Sequence, residues 1–199
     1  ITNNIKLAKK IALVVAGLEM ILTLFVALLF DSDHGNNFQL VEQHAWIPSL
    51  NIQFLIGIDG ISVLFLPMSA LLTLTAIIAS WNSVQHLHRF HFALLLALEG
   101  VTIGVFSALD MMLFFLFWEL TLPPIFFLIG LWGIGPKRRS AAMKYTLFML
   151  FGGISLLSAI IILALNHSAQ LPEGGIAQEL IFSLPVLLKT PLPEHLQTI

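Results

Sequence analysis

Apolar residues along this chain run in blocks instead of alternating with polar ones. Five blocks, Ile11 to Phe30, Ile58 to Ser80, Phe92 to Leu109, Met111 to Trp132 and Ala141 to Asn166, contain only isolated charged residues. At about 1.5 Å of helical rise per residue, each comes to the length of a hydrocarbon layer roughly 30 Å thick. Only a helix or a closed barrel satisfies every backbone N–H and C=O at that depth, and blocks this long and this apolar are helical. The pattern predicts an all-α, polytopic transmembrane protein, with residues 1–199 forming a single membrane domain. The first block lacks a small-residue cleavage site and four more follow it, so it reads as a span and not as a signal peptide.

Between the blocks the chain is polar and reads as loops, with no internal repeat. One piece differs. From Gln178 to Lys189, the apolar residues Leu180, Ile181, Leu184, Leu187 and Leu188 fall at helical spacing on a segment too short to span. It predicts an amphipathic surface helix that Pro185 bends or ends and that Pro191 and Pro193 keep from continuing.

Basic residues set the orientation, since cytoplasmic loops are enriched in Lys and Arg. Lys6, Lys9 and Lys10 precede the first block, Arg89 lies between the second and third, and Lys137, Arg138 and Arg139 lie between the fourth and fifth. If every block crosses once, all seven fall on one side, which predicts a cytoplasmic or stromal N-terminal end. Opposite them lie the connection from Asp31 to Gly57, the turn at Asp110 and the segment after Asn166.

Composition sharpens the picture. With 58% hydrophobic residues, 10% charged residues and a mean hydropathy of +0.95, the natural partner of this chain is a lipid bilayer. The net charge of −2 and the scattered Lys and Arg exclude a nucleic-acid surface. The absence of cysteine excludes disulfides, a thiol nucleophile and an iron–sulfur cluster held by this chain. The histidines His86, His88 and His91 crowd the second cytoplasmic loop, where an interfacial role fits better than a metal site because no companion ligands have a recognised spacing.

Chemistry enters with four ionisable residues inside the blocks: Glu19, Glu99, Glu119 and Lys144. A charge at the bilayer centre costs on the order of 2.5–3.5 kcal/mol, so such residues face protein or internal water. Glu119 lies roughly 13 Å from the outer end of its block, too deep for a short side chain to reach the surface. Pro123 and Pro124 follow it at four and five positions and supply no N–H to the carbonyls of Glu119 and Leu120, which leaves polar acceptors beside the carboxyl. Glu19 and Glu99 both fall near mid-membrane, where each belongs either to a buried polar axis or to packing as a protonated acid. Lys144 is open to two readings: snorkelling to the cytoplasmic interface, or facing inward to act on a nearby carboxylate. Depth alone implies no ion pair between Lys144 and Glu119. Asp59 and Asp110 each precede an outer helix start, where a carboxylate caps free N–H groups.

Four segments in register carry a resemblance: Trp46-Ile47-Pro48, Gly57-Ile58-Asp59-Gly60-Ile61-Ser62, Phe114 to Leu120 with its Phe117-Trp118-Glu119, and Ala141-Ala142-Met143-Lys144-Tyr145. In this order and spacing the chain resembles the antiporter-like proton-pumping subunits of complex I, most of all chain 4 (subunit M in bacteria, the D-type subunit in cyanobacteria). The resemblance implies a fold of about fourteen helices in two inverted repeats. It also implies that Glu119 matches the essential membrane glutamate and Lys144 a lysine of the next helix. The partner lysine of that glutamate, on a later broken helix, and the first helix of the family would lie outside these residues.

The same resemblance implies a proton-translocating subunit of an NAD(P)H or ferredoxin:quinone oxidoreductase, with a pathway through Glu119, Lys144, Glu99 and Glu19. This chain would carry no cofactor or metal, and quinone, flavin and iron–sulfur centres would sit on other subunits. Glu99 and Thr121-Leu122-Pro123-Pro124 depart from the commonest members and are more similar to cyanobacterial forms associated with carbon dioxide uptake. That points to a thylakoid membrane, with a bacterial inner membrane or plastid thylakoid as other placements, and to a carbon dioxide hydration subunit as a partner beside the other membrane subunits. A sodium/proton antiporter subunit and a structural membrane scaffold remain as alternatives.

Overall fold

A computed structural model describes residues 2–35, 37–170 and 180–191. Its elements are α1 (Thr2–Leu29), β1 (Gln39–Ile47), β2 (Ile52–Ile58), α2 (Ser62–Ser83), α3 (His88–Ser107), α4 (Met111–Leu120), α5 (Leu122–Trp132), α6 (Arg138–Ala169) and the single turn α7 (Leu184–Leu187). Five helical segments are long and apolar enough to cross a membrane: Lys6–Leu29, Ser62–Ser83, His88–Ser107, Met111–Trp132 and Arg138–Ala169. They coincide with the five blocks, their ends shifted by a few residues where polar side chains continue the helix into the interface.

Small residues let the helices approach closely, as membrane helices require when burial in lipid gives them no hydrophobic drive to associate. On α1, Ala12 and Ala16 are buried against Ile77 of α2 and Phe92 of α3. On the α3–α4 hairpin, a Cβ at Gly104 would come within 2.6 Å of the Phe117 ring. At the end of the helices that bears the basic residues, the Lys9 ammonium lies 5.7 Å from the centre of the Trp81 ring and donates to the Trp81 carbonyl, fastening α1 to the last turn of α2. Much of the outer surface remains apolar, with Leu28 at 84% and Phe148 at 79% exposure, a surface suited to lipid or to neighbouring membrane helices and not to water.

The opposite end holds structure that a loop reading of Asp31 to Gly57 omits. β1 and β2 form an antiparallel hairpin closed by Pro48–Leu50 and by Asn51, whose left-handed backbone (φ 52°) an asparagine tolerates. The hairpin clamps onto the α3–α4 turn. Leu109 N–H donates to the Leu55 carbonyl at 2.9 Å, and Gln53 N–H donates to Asp110 Oδ2 at 3.2 Å. A Cβ at Gly57 would lie 2.7 Å from Leu109 Cδ1, 3.0 Å from Val41 Cγ2 and 3.3 Å from the Gln39 carbonyl oxygen, so any other residue here would make its neighbours shift.

The amphipathic helix expected over 178–189 is not what forms among its described residues. Leu180–Phe182 are non-helical and α7 covers only Leu184–Leu187, while Gln178 and Glu179 lie outside the described residues. The turn of α3 to α4 captures the backbone here: Met111 N–H donates to the Phe182 carbonyl at 2.8 Å and Leu184 N–H to the Leu109 carbonyl at 2.7 Å. These tertiary bonds hold residues 182 and 183 out of a helix, and α7 begins at Leu184 with Pro185 in its first turn, where the missing N–H is dispensable.

Candidate functional site

Depth follows from the hairpin. α3 ascends and α4 descends around the tight turn at Ala108–Asp110; Glu99 lies eight residues before Ser107, and Glu119 eight residues after Met111. Both therefore sit about 12 Å below the outer helix ends, and Glu19, ten residues before Leu29, about 15 Å below. Three carboxyls share one level in the middle of the membrane.

Glu119 occupies the last turn of α4, at a break in the fourth span. α4 ends at Leu120 and α5 begins at Leu122; the Thr121 hydroxyl bonds back to the Trp118 carbonyl at 2.7 Å, and Pro123 and Pro124 enter the first turn of α5. The side chain turns toward α6 and packs on Gly153. A Cβ at Gly153 would overlap Glu119 Oε1 and lie 3.0 Å from its Cδ, so the carboxyl fills the space a side chain would need. Oε1 is buried and has no hydrogen-bond partner among the described residues.

Lys144 does not join it. It lies nine residues before Gly153 on α6, two and a half turns away and on the opposite face, and its side chain is exposed. Among the described residues the only ion pair within 4.0 Å is His34–Asp31 at the outer end of α1.

Glu19 and Glu99 do meet. On α1, Ala12, Ala16, Glu19 and Thr23 repeat every three or four residues, a single stripe turned to the packed side. On α3, Phe92, Leu95, Leu96 and Glu99 do the same, and the two carboxyls lie within hydrogen-bonding reach across the interface. Glu99 is 1% exposed. Because Gly104, five residues on, faces α4, Glu99 points away from α4 and away from Glu119. The charges thus divide into a carboxyl pair between α1 and α3 and a lone carboxyl between α4 and α6.

The aspartates act as caps. Asp110 Oδ1 accepts from Met112 and Leu113 N–H at 2.9 and 3.1 Å, and the residue is 1% exposed. Asp59 Oδ1 accepts from Ile61 and Ser62 N–H at 3.1 and 2.7 Å, while its own N–H donates to the Ser62 hydroxyl. The histidine reading needs correction. His88 and His91 lie in α3 and not in the loop; His91 is 6% exposed with its ring edge-on to Trp132, and His86 stacks on that same indole. The aromatic packing around Trp132, invisible to loop counting, engages His86 and His91.

Residues 108–174 match the family described as NADH:quinone oxidoreductase/Mrp antiporter, TM, a stretch that contains Glu119, Lys144 and Gly153. NADH-quinone oxidoreductase subunit M of Rickettsia prowazekii is 34% identical over 188 residues, covering 92% of this chain and 38% of the relative. NAD(P)H-quinone oxidoreductase chain 4 1 of Synechococcus elongatus is 44% identical over 141 residues, covering 69% of this chain and 26% of the relative. The chain spans roughly a third of the length of the curated relatives it matches. Among solved structures, respiratory complex I from Thermus thermophilus superposes with a TM-score of 0.75 at 27% identity, over 94% of this chain and 36% of that one. Sequence, family match and superposition agree: the chain belongs to the antiporter-like membrane subunits of the NADH:quinone oxidoreductase/Mrp antiporter family, of the subunit M or chain 4 kind.

Proposed function

We propose that this chain is the part of a complex-I-like quinone oxidoreductase subunit that carries protons on Glu119, coupling electron transfer elsewhere in the complex to proton movement across the membrane. One observation carries the reading: a carboxyl oxygen buried without a partner among the described residues, at a helix break in mid-membrane, packed on a glycine. A carboxyl retained there at a cost of some kcal/mol needs a task that packing does not supply. Protons reach it through a half-channel, reside on Glu119, and leave when a nearby charge moves. A hundredfold change in proton affinity takes about 2.7 kcal/mol, within reach of one charge displaced in a low-dielectric interior.

Lys144, exposed on the far side of α6, is positioned to act through helices that pack on that face, not directly on Glu119. Flavin, iron–sulfur and quinone sites belong to other subunits, the membrane ones being the partners of the apolar outer surface. The 44% identity to a cyanobacterial chain 4 favours a thylakoid complex reducing plastoquinone. Glu99 and Thr121-Leu122-Pro123-Pro124 favour the form that works with a carbon dioxide hydration subunit.

Glu119→Gln in the full-length protein tests the central step, with proton uptake by sealed membranes measured beside assembly of the complex. Loss of uptake in an assembled complex is the expected result. Unchanged uptake and electron transfer reduce Glu119 to packing and end the proposal.

A further inference from the structure

Glu119 leaves two mid-membrane carboxyls unused. Glu99 is buried to 1% exposure, and among the described residues neither of its oxygens has a hydrogen-bond partner unless a proton is present, because the group it faces across the α1–α3 interface is another carboxyl, that of Glu19. Among the described residues nothing cationic offsets them. α2 carries no titratable side chain over Ser62–Ser83, and the Thr23 hydroxyl is committed to the carbonyls of Glu19 and Met20. The Lys9 ammonium, ten residues from Glu19 or about 15 Å along α1, is held by Trp81. On α3, His91 lies eight residues from Glu99, about 12 Å toward the cytoplasm. Glu119 stands on the other side of α3, and no Lys or Arg pairs with either acid among the described residues.

Two like charges cannot both stay ionised side by side in a medium that neither solvates nor neutralises them. A single proton resolves both problems, since it removes one charge and turns an acceptor–acceptor contact into a charge-assisted O–H···O bond. We infer that Glu19 and Glu99 form a second proton-binding site, separate from Glu119, in which one proton is shared between two carboxyls at the α1–α3 interface. The pair carries a net charge of −1 and titrates as a unit, so its two protonation steps belong to both residues together. Its use as a proton store for translocation rests on the proposed function above; its holding of a proton does not.

Infrared difference spectroscopy on the full-length protein in its assembled complex, at neutral pH, separates the two. The wild type shows the C=O stretch of a protonated carboxylic acid that shifts on deuteration and survives Glu119→Gln. The same band disappears or moves in both Glu99→Gln and Glu19→Gln, since each removes one half of the shared bond. The double Glu19→Gln/Glu99→Gln variant, in which two neutral amides can bond to each other, assembles and lacks the band entirely. A band indifferent to both single substitutions overturns the inference. So does a wild type without the band whose spectrum changes on replacing sodium by potassium, which would mean that a cation neutralises the pair. Failure of Glu119→Gln to alter proton uptake would sink the proposed function and leave this band where it is.

Discussion

Gly153 decides where the Glu119 carboxyl can lie. A glycine in the middle of a 32-residue helix costs on the order of 1 kcal/mol relative to alanine, and at this position the cost is offset by room for the carboxyl on the helix backbone. Adding one methyl forces Glu119 to move, and it moves easily because the clash is with the far end of a flexible side chain. Gly153→Ala should therefore assemble normally yet translocate protons more slowly, from several-fold up to about 100-fold if the carboxyl shifts by an ångström. Proton uptake normalised to assembled complex measures this, and a rate equal to wild type would show that the carboxyl position is not critical. Glu119 itself was legible from depth counting and from the prolines after it. Gly153 was not, because a glycine 34 residues along the chain gives no sign of which helix face it presents. The stripe Ala12, Ala16, Glu19, Thr23 did carry such a sign: helical spacing alone turns Glu19 toward the packed side.

At the scale of elements, the outer ends of the spans are tied together through backbone groups, with Asp110 at the centre. Its carboxylate accepts from three N–H groups, two in the first turn of α4 and one in β2, while Leu109 and Met111 beside it bond to the hairpin and to the strand-like run before α7. Removing a buried carboxylate that satisfies three donors should cost about 2–3 kcal/mol. Asp110→Ala should lower thermal stability accordingly, and hydrogen exchange should rise at Gln53, Met112 and Leu113 together. Exchange rising at Met112 and Leu113 alone would mean that the hairpin is held by its apolar side chains and not by the cap. Sequence blocks located the five spans because lipid imposes one rule along a whole helix. They did not reveal the hairpin or the extended Leu180–Phe182 run, which owe their form to bonds with the distant α3–α4 turn.

For the whole molecule, the helices form two packed groups that meet along the α3–α4 hairpin, one closing on the Glu19–Glu99 pair and the other on Glu119. The basic residues and the hairpin lie at opposite ends of those helices, so orientation in the membrane also fixes which side each acid is nearer to: about 12–15 Å from the hairpin side for all three. This chain has no cysteine, so an introduced thiol reports on one location within it. In the full-length protein, Ser140→Cys, beside Arg138 and Arg139, should react with a membrane-impermeant maleimide only from the cytoplasmic or stromal face. Ser49→Cys, in the turn of the hairpin, should react only from the opposite face, with the protein lacking either thiol as the background. Reversed labelling would place the three acids nearer the cytoplasmic face. Labelling of both sites from one face would break the rule that each span crosses once, and with it the shared depth of the three carboxyls.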